Sequence, residues 1–183
     1  MLQSTVDLTS SVVQTLVLYS LAEHQLGHAS SIEVNALGHA FSVRDNGRGH
    51  AIGRAVEGAP YLNFIYSHLS YPFQDRTSKP IQLQGLGMSL LNRLCAELEV
   101  VVRKRSETLT MRFRHGNLVV HELADIESED TGNQVSGVLS SSLAGSPVEQ
   151  QELLQWLQRV SRASPSLRLL YNGQALVAAA SGA

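Results

Sequence analysis

The chain has 183 residues, 43% of them hydrophobic, which is enough for one domain with its own core and excludes a wholly disordered protein. The 14 Lys and Arg against 16 Asp and Glu leave a formal charge of −2, which argues against binding to nucleic acid or lipid through bulk positive charge. One cysteine, Cys95, cannot form an internal disulfide, and no apolar run reaches the roughly 18 residues of a membrane span, so a soluble, cytoplasmic domain is expected.

Val12, Val13, Leu16, Val17 and Leu21 recur at helical spacing behind Thr9 and Ser10, which predicts a first helix over 9–27. Strands follow at 31–36 and 41–44, leading into a glycine cluster. Residues 60–69 read as a second helix with Pro60 in its first turn. The polar stretch 70–84 has no period and holds two prolines, which suggests a loop or lid. A third helix starts after Gly87, with Cys95 on its buried side. Strands are expected at 99–105, 109–114, 117–121 and 132–139. A last helix over 147–162 precedes a hairpin, 167–171 with 174–179, turning at Asn172-Gly173. These elements predict a two-layer α/β sandwich, a mostly antiparallel sheet with helices on one face, in a single domain spanning the chain.

Four features carry chemistry. Asp45-Asn46-Gly47-Arg48-Gly49 ends a strand; a carboxylate there can accept from an exocyclic amine, and glycines let a flat ring lie close to the backbone. The polar lid comes next. Gly85-Leu86-Gly87-Met88-Ser89 then opens a helix, where backbone N–H groups can meet phosphate oxygens. Thr131-Gly132-Asn133 enters a strand. Each alone is weak, and an isolated Asp-x-Gly-x-Gly is most often a plain turn.

In order and spacing, the set resembles the nucleotide-binding domain shared by DNA gyrase B, topoisomerase IV, MutL, heat-shock chaperones and sensor histidine kinases, the GHKL superfamily. Gyrase B shows the greatest likeness. Ser42-Val43-Arg44-Asp45-Asn46-Gly47-Arg48-Gly49 is similar to its adenine-binding strand and turn, Phe73-Gln74-Asp75 through Lys79 to its lid, and Gln84-Gly85-Leu86-Gly87-Met88-Ser89-Leu90-Leu91-Asn92 to its phosphate loop and following helix. Leu98-Glu99-Val100-Val101-Val102 and Arg114-His115-Gly116 continue in register.

The resemblance implies ATP or ADP as ligand and a Bergerat-type fold. Asp45 would take the adenine amine, with Gly47 and Gly49 giving the ring access. Val43, Ile65, Met88 and Val135 would line the base slot. Asn133 stands where the family has a base-binding threonine, and its amide can still hydrogen-bond. Lys79 and the backbone of Gln84, Gly85, Leu86, Gly87, Met88 and Ser89 would face the phosphates. Glu23 would pair with Arg48 as a structural couple.

The departures matter as much. Active members carry a glutamate that activates the attacking water and, four residues later, an asparagine that ligates magnesium. Those positions hold Thr15 and Tyr19, neither a general base nor a good ligand for a hard cation. No catalytic residue and no metal site are therefore expected. The seven dispersed histidines offer no zinc site either. His50 reads as solvent-exposed, with a ligand contact as the alternative, and Arg103-Lys104-Arg105 with Arg112 and Arg114 as a solvated sheet edge, with a partner or nucleic-acid contact as the alternative. The expectation is a stand-alone gyrase-B-like adenine-nucleotide-binding domain with lost or much reduced hydrolysis. It would be a monomeric regulatory or interaction module with an unknown protein partner, not bound to membrane or directly to DNA. The alternatives are an active ATPase with a non-standard base and a nucleotide-free scaffold.

Overall fold

The computed structural model describes residues 8–53, 55–56, 59–67, 87–142 and 150–177. Helix α1 (Leu8–Gln25) is apolar on most of its circumference and buries Val12, Val13, Leu16, Val17 and Leu21. It stops earlier than the sequence suggests, because Gly27 adopts a left-handed φ of 80° and turns the chain into β1 (Ser31–Leu37). β1 and β2 (Ala40–Asp45) alternate buried and partly exposed residues, the mark of a sheet with one face on a core.

A two-residue ribbon, β3 (Ala55–Val56) with β4 (Ala59–Pro60), precedes α2 (Tyr61–Ser67). Pro60 therefore ends a strand and lies just outside the helix. The predicted lid 70–84, and with it Lys79, falls outside the described residues, as does the end of the second predicted helix. Helix α3 (Met88–Leu94) runs directly into β5 (Cys95–Arg103) without a loop. Cys95 is thus the first residue of a strand and not part of a helix face. A register irregularity between Cys95 and Glu97 breaks the two-residue period there, which hides the strand's start from a periodicity reading.

Strands β6 (Thr108–Arg114), β7 (Asn117–Ala124) and β8 (Gly132–Leu139) follow. Helix α4 (Gln150–Ala163) and the short pair β9 (Arg168–Tyr171) and β10 (Gln174–Ala175) close the described chain. One eight-stranded sheet has the order β10-β9-β1-β2-β8-β5-β6-β7. All its pairings are antiparallel except β1 with β9.

The order corrects the reading of the basic segment. β5 lies between β8 and β6, and β7 covers the far side of β6, so Arg103, Arg112 and Arg114 sit within the sheet. On its outer face Arg112 meets Glu99 at 2.6 Å, and Arg103 donates to Gln134 at 3.1 Å. The helices pack on the other face. Leu16 and Val17 from α1, Leu62 and Tyr66 from α2, Leu91 from α3, and Leu153 and Leu157 from α4 join the inward strand residues in one core. Each such large side chain contributes roughly 1.5–3 kcal/mol by leaving water. Asn92 links three elements here, donating from Nδ2 to the carbonyls of Tyr66 and Gly116. Tyr66 stacks on Phe113 with ring centroids 5.7 Å apart, and burial pushes its hydroxyl well above the ordinary tyrosine range.

Candidate nucleotide site

β2 and β8 are neighbours, so the last residue of one strand and the first residues of the other meet at a single sheet end. Asp45 is only 4% exposed there, so each of its carboxylate oxygens needs a partner inside the protein. Oδ1 accepts from the backbone N–H of Gly47 at 2.9 Å and of Asn133 at 3.3 Å. Oδ2 accepts from the Ser20 hydroxyl at 2.9 Å. The carboxylate is thereby held by α1, by the turn after β2 and by the start of β8.

The turn is fixed from every side. Asn46 accepts from the backbone N–H groups of Ser30 and Ser31 at 2.8 and 2.9 Å, so it is tied to the entrance of β1. Arg48 forks onto Glu23, with Nη2 to Oε1 at 2.8 Å and Nε to Oε2 at 3.1 Å. The hydrogen bond from the Arg48 guanidinium holds the Glu23 carboxyl below its ordinary range, against the opposing effect of burial. Lys104 Nζ donates to the carbonyls of Arg48 and Gly49, each at 2.8 Å. Burial, reinforced by the nearby Arg48 charge, lowers the Lys104 ammonium's pKa. His50 donates its backbone N–H to Asn133 Oδ1 at 2.9 Å. Its side chain is half-buried instead of exposed, and burial pulls its imidazole below the usual value in spite of the Asp45 charge.

Two glycines are required by contact. Gly132 has a φ of 121°, and a Cβ there would overlap the Asp45 carbonyl oxygen. Gly49 has a φ of 71°, and a Cβ would sit 3.0 Å from the Arg103 carbonyl oxygen. The close approach of turn to strand thus accounts for Gly49 without any ligand.

Val43 and Val135 are directly paired across β2 and β8, both buried beside Asp45. Ile65 of α2 is half-buried against the same core. Met88 and Ser89 lie buried in the first turn of α3, and a Cβ on Gly87, just before them, would meet none of the described residues within 4 Å. Gln84, Gly85, Leu86 and Lys79 are outside the described residues.

The middle of α1 differs in chemistry. Thr15 is buried, and its hydroxyl donates to the Ser11 carbonyl one turn back at 2.8 Å. Tyr19 is partly buried, and desolvation raises its hydroxyl pKa. Glu23, the one carboxylate of α1, is engaged by Arg48. Beside the turn is a cleft of about 290 Å³ lined by His28, Gly47, Arg48, Lys104, Arg105 and Thr131. A larger groove of about 390 Å³ lies over the outer sheet face, remote from Asp45, where Glu97 and Glu99 pair with Arg114 and Arg112. The smaller cleft reaches the turn at Gly47 and Arg48, and Asp45, Val43, Val135, Ile65 and Met88 are not among the residues that line it.

Ser20 is the residue that motif reading passes over. Ser20 lies three positions before Glu23, on the same helix face, which is the only hint of its role that the sequence contains. Gly132 was visible as part of Thr131-Gly132-Asn133, but not its contact with Asp45.

The sheet order, with the helices packed on one face, is a two-layer α/β sandwich of the kind found in a topoisomerase ATP-binding domain. Among solved structures, the chain is similar to the ATP-binding domain of topoisomerase IV from Francisella tularensis, determined with a small-molecule inhibitor. The TM-score is 0.73, with 87% of this chain and 79% of that one covered, at 20% sequence identity. No protein-family model and no curated protein matches the sequence. Among the described residues, no helix is long and apolar enough to cross a membrane.

Proposed function

We propose that this chain is an adenine-nucleotide-binding domain of the gyrase-B type that has lost most or all ATP hydrolysis and serves as a regulatory or interaction module. The observation that carries the reading is the buried Asp45 carboxylate, fixed by Ser20, Gly47 and Asn133 beside the Val43–Val135 pair. A fixed acceptor next to apolar walls suits a flat heterocycle bearing an amine. Ile65 and Met88 complete the walls in this reading, and Asn133 adds an amide to the base contacts. By the resemblance, Lys79 and the backbone from Gln84 to Ser89 would contact the phosphates, and of these Gly87, Met88 and Ser89 open α3.

The inactivity half rests on α1. Catalysis in this fold needs a base for the attacking water and a ligand for the bridging magnesium. Thr15 turns its hydroxyl to its own helix and Tyr19 offers only a neutral phenol. Removing a general base alone commonly costs about 10²–10⁴-fold in rate.

Calorimetry with ADP, with and without magnesium, tests both halves. Binding that is little changed by the metal, and no phosphate release from ATP, is the expected result. No heat at millimolar ADP overturns the nucleotide reading, and sustained phosphate release overturns the inactive one.

A further inference from the structure

Two patches of opposite charge lie side by side on the described surface. The first is the cleft of about 290 Å³, whose lining includes His28, Arg48, Lys104 and Arg105 and no carboxylate. Glu23 engages Arg48, and Glu107 lies near Lys104, but the exposed Arg105 enters no ion pair among the described residues. The second is the segment that joins β7 to β8. Asp125, Glu127 and Glu129 are exposed there and unpaired among the described residues, whereas Asp130 is taken by Arg44 at 3.1 Å. Ile126, between two of these acids, is 51% exposed. Ser128 donates its backbone N–H to the Arg105 carbonyl oxygen at 2.9 Å, and its hydroxyl accepts from the Asp130 N–H at 3.0 Å. The acidic segment is thereby fastened beside the basic cleft. Since the formal charge of the chain is only −2, this separation of sign is a local arrangement and not a product of composition.

We propose that this surface is where two copies of the chain associate, the acidic segment of each entering the basic cleft of the other. A basic and an acidic patch set side by side become self-complementary under a two-fold axis, which brings each onto its opposite in the second copy. The second copy supplies the carboxylates that the cleft lacks, and Ile126 adds apolar area to the contact. Nucleic acid fits less well. No aromatic side chain lines the cleft to stack a base, and the neighbouring acids repel a phosphate backbone. A wholly acidic foreign peptide meets the same repulsion wherever it overruns the cleft, whereas a second copy offers both signs. Exposed ion pairs contribute little singly, so the association is weak and sensitive to salt. It departs from the monomer expected of the sequence and is independent of the nucleotide reading.

The test is sedimentation equilibrium of the full chain over a range of concentrations, for wild type, Arg105→Glu and Glu127→Arg. The wild type forms a dimer at low salt, and its dissociation constant rises about tenfold between about 0.05 and 0.5 M salt. Each reversal places like charges opposite one another and weakens the dimer by about tenfold or more. Both positions are exposed, so the variants fold. An equal mixture of the two variants associates again, because each presents the sign that the other lacks. A wild type that stays monomeric at low salt, or a dimer indifferent to both reversals, overturns the inference. A monomeric wild type that binds a hexaglutamate peptide gives the cleft to a foreign acidic segment and overturns it as well.

Discussion

The two halves of α1 form an instructive contrast. Towards its C-terminus, Ser20, Glu23 and His24 each reach a different element: the end of β2, the turn after it, and the loop before β1. His24 places one ring nitrogen 2.7 Å from the Ala29 carbonyl oxygen and the other 3.3 Å from the Ser166 hydroxyl. In the middle of the helix, Thr15 satisfies its hydroxyl on the helix's own backbone, and Tyr19 is desolvated. The same helix therefore ties down the turn after β2 at one end and presents no acid in its middle. In the proposed function, holding a ligand and reacting with it are separable tasks, because they would depend on side chains one or two turns apart.

Exchanging the character of the quiet half is the strongest way to break the contrast. Thr15→Glu with Tyr19→Asn places a carboxylate and an amide four residues apart on one face. If the rest of the pocket is competent, phosphate release rises by about 10²-fold or more over the parent. An unchanged rate in a variant that still binds ADP means that the defect extends beyond α1.

Damage to the other half is read as stability. Gly132→Ala forces a side chain into the Asp45 carbonyl at a backbone angle that disfavours one, and the expected loss is about 3 kcal/mol in urea unfolding. A loss below about 1 kcal/mol would show that β8 can shift away from the turn. Asp45→Ala leaves the N–H groups of Gly47 and Asn133 and the Ser20 hydroxyl without their shared acceptor. That variant is expected to lose about 2 kcal/mol and all detectable ADP binding.

The Glu23–Arg48 couple gives a smaller, pH-dependent effect. Because folding lowers the Glu23 pKa, its contribution is fully present above the ordinary value of 4.5 and is lost as the pH falls through the folded value. Glu23→Gln should flatten this acid limb of the stability curve and change little near neutrality beyond the loss of the pair itself. An acid limb identical to the wild type's would remove Glu23 as its source. Smallest of all is the response of Cys95 to thiol reagents. Burial raises its thiol to about 12, so alkylation of the folded protein at pH 8 should be negligible and should appear only on unfolding.

Much of the architecture was readable from local chemistry. Asn172-Gly173 marked its hairpin because both residues need positive φ, and they take 47° and 80°. The bounds of β8 followed from its flanking turn residues. The α3–β5 junction was not readable, since no loop separates the two and the irregularity after Cys95 suppresses alternation. Nor could charge alone place Arg112 and Arg114 inside the sheet, because β7, which covers the outer side of β6, and β8, which covers β5, both arrive later in the chain. In the candidate site, Asp45 and the turn were legible as a motif and Glu23–Arg48 as a complementary pair. The Ser20 contact was not, because a lone serine in a helix carries no mark of which strand end it will face.

The parallel pairing of β1 with β9 has a consequence for how the molecule is made. Ser31 to Val34 take their second neighbour from Arg168 to Tyr171, close to the other end of the chain. During synthesis, the early strand waits with one row of N–H and C=O groups unsatisfied until β9 has left the ribosome. A nascent chain halted before residue 168 would thus expose a sticky border that β9 later covers.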